Sequence, residues 1–273
     1  MDAATVETPA LAQPLTPPAT PAPAPAPITL ERLLAPDTLM RAWERVQRNG
    51  GAAGCDHQTI AAFGRHLSAE LERLRAEVLQ CDYTPRPLHL VPIPKRHGGT
   101  RTLAIPAVRD RVLQTALAQL LSPRIDANFN DDSYAYRPGR SVAQAVARVQ
   151  ECRRAGLVHV VDADIHGFFD HIDHARILRL FNEQVGDPDV GHLVALWLSA
   201  VMQGQGQRHL QVEGIAQGSP LSPLLANLYL DDFDRTLQDA GLVSVRYADD
   251  FIVLCASAEQ AAQALEQIQA LLV

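Results

Sequence analysis

Val243-Ser244-Val245-Arg246-Tyr247-Ala248-Asp249-Asp250-Phe251-Ile252-Val253-Leu254-Cys255 is the stretch on which the fold turns. Two apolar, β-branched runs, Val243 to Tyr247 and Phe251 to Cys255, are separated only by Ala248-Asp249-Asp250. That pattern reads as two strands joined by a tight turn. Adjacent carboxylates are costly to bury, so the turn is where they belong. A hairpin tip presents both acids at one point. Taken alone, the pair is equally an ordinary polar turn, in which aspartate is common.

A second acidic strand end changes the weighing. Leu157 to Ala163 is an apolar run that leads into Asp164, and strand alternation puts Asp162 and Asp164 on one face. Phe168-Phe169-Asp170 follows directly. One carboxylate at a strand end and two at a hairpin tip suffice to bridge a pair of Mg²⁺ ions, which want hard oxygen ligands and complete their octahedra with water and substrate phosphates. Two such ions can activate a 3′-hydroxyl and stabilise a leaving pyrophosphate.

The flanking sequence supplies the rest of the architecture. Asp37 is a candidate cap for a helix through Trp43 to about Arg48, ended by Asn49-Gly50-Gly51. Ile60, Phe63, Leu67, Leu71, Leu74 and Val78 recur at spacings of three and four and predict one helix over 59–80. Leu88–Ile93 and Arg101–Ile105 flank His97-Gly98-Gly99 as a hairpin. Helices are expected over 108–121, 141–154, 174–181, 189–202, 221–239 and 258–272, with a strand over 208–213. Strands and helices interleave without a parallel βαβ rhythm, which predicts an α+β sheet with helices on one face.

Residues 1–28 are Pro/Ala-rich and predict an extended tail rather than a packed unit. No apolar run reaches the length of a membrane span, and the N-terminus lacks the pattern of a secretory signal. The four cysteines, Cys55, Cys81, Cys152 and Cys255, include no C-x-x-C pair and point to reduced thiols in a cytoplasm rather than a disulfide scaffold or a zinc cluster. The net charge of −7 hides an asymmetry: residues 81–160 carry 12 Arg plus Lys against 6 Asp plus Glu, and residues 161–273 carry 5 against 16. A basic face contacts phosphates, and an acidic cluster can hold divalent metal. His166, His171 and His174 among Asp164, Asp170 and Asp173 raise a zinc site as an alternative, discounted because the acids have another explanation.

Set in order, these motifs resemble the reverse transcriptases of bacterial group II introns and CRISPR-associated systems over roughly residues 40–273. Val91-Pro92-Ile93-Pro94-Lys95 through Arg101 to Pro106 resembles the fingers hairpin, and Asp110-Arg111-Val112-Leu113-Gln114 follows. Next come Ser133-Tyr134-Ala135-Tyr136-Arg137-Pro138-Gly139-Arg140-Ser141 and Asp164-Ile165-His166-Gly167-Phe168-Phe169-Asp170. Ala216-Gln217-Gly218-Ser219-Pro220-Leu221-Ser222-Pro223 with Asn227, and finally Tyr247-Ala248-Asp249-Asp250, complete the series. A lone Tyr-Ala-Asp-Asp is weak; six motifs in the family's order are specific.

The resemblance implies a right-hand polymerase fold of the α+β class, with fingers over 29–155 and an antiparallel palm sheet over 156–273. It implies an Mg²⁺-dependent RNA-directed DNA polymerase (two ions, Mn²⁺ as substitute) with Asp164, Asp249 and Asp250 as catalytic acids. The backbone of Ile165 joins those three acids at the metals. Lys95, the sole lysine, would hold the incoming triphosphate with Arg101. Phe169 would sit under the sugar C2′ and select deoxynucleotides, though core packing is the plain alternative for one of the two phenylalanines. Gln217 and Gly218 would approach the nucleotide, and Arg111, Arg137, Arg140 and Tyr247 the template and primer. The implied partners are an RNA template, a DNA or RNA primer and dNTPs. The CRISPR-associated branch, favoured by the short Asp239–Tyr247 link, adds an integrase subunit or fused domain. Family members continue beyond this point with a further palm segment, a primer-grip hairpin and a thumb; none is expected within residues 1–273, so weak primer–template binding is expected of them alone. An intron maturase fragment and a non-catalytic docking fragment are the rivals.

Overall fold

Two hairpins and the helices packed on them organise the computed structural model, which describes residues 26–94, 98–204 and 206–272. The first 25 residues of the Pro/Ala-rich segment lie outside that range. Ile28, by contrast, is 1% exposed and already part of the core.

The helices α1 (Leu30–Leu33), α2 (Pro36–Asn49), α3 (Ile60–Arg65) and α4 (Leu67–Leu79) precede the hairpin β1 (Leu88–Pro94) and β2 (Thr100–Ile105). Then come α5 (Val108–Ile125), α6 (Val142–Arg154), β3 (His159–Asp164), α7 (His174–Val185) and α8 (Pro188–Leu198). The strands β4 (Val201–Gly204) and β5 (Gln207–Leu210), helix α9 (Ser222–Asp239), strands β6 (Val243–Tyr247) and β7 (Asp250–Cys255), and helix α10 (Ala258–Leu272) complete the order.

These strands form two sheets. One has the order β2-β1-β4-β5, antiparallel except for the parallel β1–β4 pair; the other, β3-β7-β6, is antiparallel throughout. Helix α5 is the hub of the helical layer, packed against α1, α2, α3, α4 and α9. Val112, Leu113, Ala116, Leu117 and Leu121 are fully buried there against α2, whose Trp43 stacks on Phe63 of α3 at 5.2 Å. The fold is the α+β arrangement expected from the sequence.

Several local expectations are corrected. Helix α2 is entered through Ala35 with Pro36 in the first turn, and Asp37 lies inside that turn rather than at the cap. Proline's fixed φ starts the helix without a side-chain cap, and an acid in the first turn complements the helix dipole. The single helix expected over 59–80 breaks at His66 (φ −122°) into α3 and α4. The helix expected over 189–202 stops at Leu198, because Val201–Gly204 is drawn into the first sheet as β4 beside β1. Pairing with a neighbouring strand overrides local preference there. Finally, helices cover both faces of the three-stranded sheet, not one. Phe251, Val253 and Cys255 of β7 face the main core with Phe233 of α9 and Ile268 of α10. Leu254 and Val245 face Ala145 and Cys152 of α6. Among the described residues no helix is long and apolar enough to cross a membrane.

Candidate active site

The three-stranded sheet brings the acids together. In its register the Cα of Asp164, at the end of β3, pairs with Asp250 at the start of β7. Tyr247 pairs with Asp250 in turn, which leaves Ala248 and Asp249 as a two-residue hairpin loop. Such loops demand a positive φ, and Ala248 supplies it at +64°. The Ile165 amide donates to the Asp249 carbonyl at 3.4 Å and binds the two strand ends to each other.

Asp164 and Asp249 line one open cleft, together with Arg101 of β2, Phe169, Gln217 and Gly218. The charge of Asp164 disfavours ionisation of the two acids of the turn. Burial and then the charge of Asp164 raise the pKa of Asp249. Burial, then Asp164, Asp249 and Asp162, raise that of Asp250. A bound cation relieves such repulsion, so the donor set fits a divalent metal held by hard oxygens. Among the described residues no three His, Cys, Asp or Glu side chains converge as a metal site of protein ligands alone would require, so any Mg²⁺ here would take much of its coordination from water and phosphate.

The two phenylalanines differ in burial: Phe168 is 5% exposed and part of the core, and Phe169 is half-buried and packed against it, while both border the cleft. Gln217 and Gly218 are held against β2: the Ala104 amide donates to the Gln217 carbonyl at 2.8 Å. Gly218 has φ +131°, and a Cβ there would lie 3.0 Å from the Ala104 carbonyl oxygen. The close approach that glycine permits is therefore to strand β2 itself. Ser219 Oγ donates to Gln114 Oε1 at 3.1 Å, so α5 supports the same loop.

The basic residues separate into cleft and scaffold. Arg101 is exposed in the cleft, and Lys95 lies outside the described residues. The expectation that Arg111 and Arg137 face nucleic acid is corrected, since both are only 8% exposed. Arg111 donates to the Ala52 carbonyl at 2.7 Å and to Gly50 at 3.4 Å. Arg137 donates to Asp126, Asn130 and Ser133. A buried guanidinium is stable only with most of its donors satisfied. The nitrogens of Arg137 are all committed internally, and those of Arg111 are committed at both terminal positions though not at Nε. Arg140 is half-buried, pairs with Asp131 at 2.7 Å and lies over the Tyr134 ring. Tyr247 is 40% exposed beside the turn.

The residue that sequence reasoning missed is Arg246. It is 1% exposed, the largest fully buried side chain among the described residues. Its guanidinium binds both oxygens of Asp234 on α9, Oδ1 at 2.8 Å and Oδ2 at 2.6 Å. One nitrogen also donates to Asn227 Oδ1 at 3.0 Å and to the Ala248 carbonyl at 2.9 Å. The left-handed turn that carries Asp249 is thus held from beneath. The available signal was a charge at an inward position of an apolar strand, on the face opposite Val245.

This chain belongs to the reverse transcriptase (RNA-dependent DNA polymerase) family, whose model matches residues 93–273. Protein YkfC of Escherichia coli K12 is 31% identical over 231 residues, 81% of this chain and 61% of that protein. The group II intron-encoded protein LtrA of Lactococcus lactis is 31% identical over 206 residues, 74% of this chain and 34% of that one. Among solved structures, a partial Cas6-RT-Cas1–Cas2 complex superposes with a TM-score of 0.56 at 29% identity, covering 87% of this chain and 40% of that one. The chain therefore spans about three-fifths and one-third of the two curated relatives.

Proposed function

We propose that the cleft catalyses RNA-directed addition of deoxynucleotides to a primer 3′-hydroxyl. The observation that carries this reading is the shared cleft, in which Asp164 and Asp249 at two strand ends face Arg101 and Phe169. Asp164, Asp249 and Asp250 with the Ile165 carbonyl are the groups that would hold divalent metal, two Mg²⁺ or in substitution Mn²⁺. Bound there, metal would lower the pKa of the attacking hydroxyl and offset charge on the leaving pyrophosphate. The chain's own side chains bind and orient. Arg101, with Lys95 from outside the described residues, neutralises the triphosphate. Phe169 occupies the space a 2′-hydroxyl would need. Gln217 and Gly218, fixed against β2 and braced by Gln114 through Ser219, shape the nucleotide's far wall. Arg140 and Tyr247 border the path of template and primer. Residues 29–155 form the fingers and 156–273 the palm in this reading.

Primer extension on an RNA template tests it. Incorporation of dNTPs that requires added Mg²⁺ or Mn²⁺ and stops with chelator is expected; no incorporation with either ion contradicts the reading.

For biological role we favour spacer acquisition from RNA in a CRISPR system, with an integrase subunit or fused domain as partner in a bacterial cytoplasm. The likeness to the Cas6-RT-Cas1–Cas2 complex supports it. The likeness to LtrA supports the second reading, an intron-encoded protein. Co-purification with a Cas1-type integrase expressed from the same locus favours the first, and retention of intron RNA the second.

A further inference from the structure

The sequence Ser133 to Arg140 forces one side chain into an unfavourable backbone and then exposes it. Tyr136 has φ +61°, a left-handed conformation that bulky residues rarely adopt and that persists only where the surroundings over-determine it. Here both neighbours are clamped. The Ala135 carbonyl accepts from Asn227 Nδ2 at 2.9 Å, and Ala135 is 1% exposed. On the other side the Arg137 guanidinium donates to the Asn130 carbonyl at 2.6 Å, the Ser133 carbonyl at 2.8 Å and Asp126 Oδ1 at 2.8 Å. Tyr134 is tied in as well, its amide donating to the Arg246 carbonyl at 3.0 Å.

What this clamping achieves is an aromatic ring in the open. Tyr136 is 51% exposed, and among the described residues its side chain belongs to none of the apolar clusters. It lines the same cleft as Asp164, Asp249, Arg101 and Phe169. Strain held in place to present an unpacked aromatic beside reactive carboxylates signals a ligand contact rather than a structural one.

We propose that Tyr136 is a nucleotide-contacting residue whose ring forms one wall of the cleft, against which the base and sugar of the incoming deoxynucleoside triphosphate pack. The proposal rests on the polymerase reading above and extends it. Arg101 and Phe169 share the cleft with Tyr136, and an aromatic face accepts any base, as template-directed synthesis requires.

The test separates ring from backbone. Glycine adopts φ +61° freely, so Tyr136→Gly removes the ring and relaxes the strain together. Single-nucleotide incorporation on a primed RNA is measured with dNTP varied and primer–template saturating, for the unsubstituted chain, Tyr136→Gly and Tyr136→Phe. Thermal melting and primer–template binding are measured beside it. A base–aromatic contact predicts a rise in KM for dNTP of roughly 5- to 150-fold in Tyr136→Gly. Its melting temperature should be unchanged or raised, and Tyr136→Phe should stay near the parent. An unchanged KM overturns the proposal, as does a loss of activity that follows a fall in melting temperature. Weakened primer–template binding with unaltered KM also overturns it and assigns the ring to the primer. If the unsubstituted chain incorporates nothing, the polymerase reading fails and this proposal with it.

Discussion

A guanidinium shut away from water is tolerable only while every partner stays in place, and Arg246 is the clearest case in this chain. Removing Asp234 strands a buried charge and loosens the Ala248 carbonyl that the same side chain holds. Asp234→Ala should therefore cost roughly 3–5 kcal/mol of stability, read from urea unfolding; a change within experimental error contradicts the pairing. A second buried ion carries a pH signature. Asp110 accepts from the Tyr83 hydroxyl at 2.8 Å and the Arg86 amide at 2.9 Å, yet burial lifts its pKa from 3.8 to about 6. The folded form then keeps a proton that the unfolded form releases near pH 4. Stability from this group is present below pH 4 and declines as pH rises to about 6, by about 3 kcal/mol at most. Asp110→Asn should remove that slope, so the stability difference between parent and variant shifts between pH 4 and 6. A constant difference across that range would place the titration elsewhere. Phe169→Ala, with the ring gone from the cleft, should raise ribonucleotide use relative to deoxynucleotide use in kcat/KM; an unchanged ratio would confine Phe169 to packing.

At the scale of elements, position depends on a few backbone approaches that side-chain patterns do not announce. Gly214 has φ +80°, and a Cβ there would come within 2.7 Å of the Phe169 and Asp170 carbonyl oxygens. The adjoining amides of Gly214 and Ile215 donate to Ile172 and Phe169, which docks the segment before Gln217 against the one after Asp164. Gly214→Ala should destabilise by roughly 2 kcal/mol or more and shift the melting temperature down by several degrees; an unaffected melting curve would show that the segment relaxes freely. The strands β6 and β7 were legible as short apolar runs on either side of a turn, and the helix α10 by its helical spacing. The β4 strand was not, since Val201 and Met202 continue the apolar run of α8 and only the parallel partner β1 distinguishes strand from helix. The coverage of both sheet faces was hidden for a related reason. Residues 251–255 are apolar on both alternating sets, and a run without alternation does not say how many faces are packed.

At the scale of the whole molecule, the acids were readable from sequence and their support was not. Asp164 and Asp249 stand where strand ends and turn chemistry put them, and the antiparallel register of β3 and β7 brings those ends side by side. Arg111 and Arg137 were misjudged because a basic residue in a motif looks the same whether it faces a phosphate or a carbonyl; only burial separates the cases. The first sheet draws strands from both halves of the chain, β1 and β2 from one and β4 and β5 from the other, so the cleft forms only when the fold closes as a unit. The central claim is that the carboxylates in that cleft perform the chemistry. Its most direct test is single-nucleotide incorporation on a primed RNA with Mg²⁺, comparing the unsubstituted chain with Asp164→Ala and Asp249→Ala at matched melting temperature. Incorporation by the parent and a fall of about a thousandfold or more in each variant, on the scale of losing several kcal/mol of transition-state stabilisation, is the predicted result. Near-normal incorporation by either variant would contradict the account.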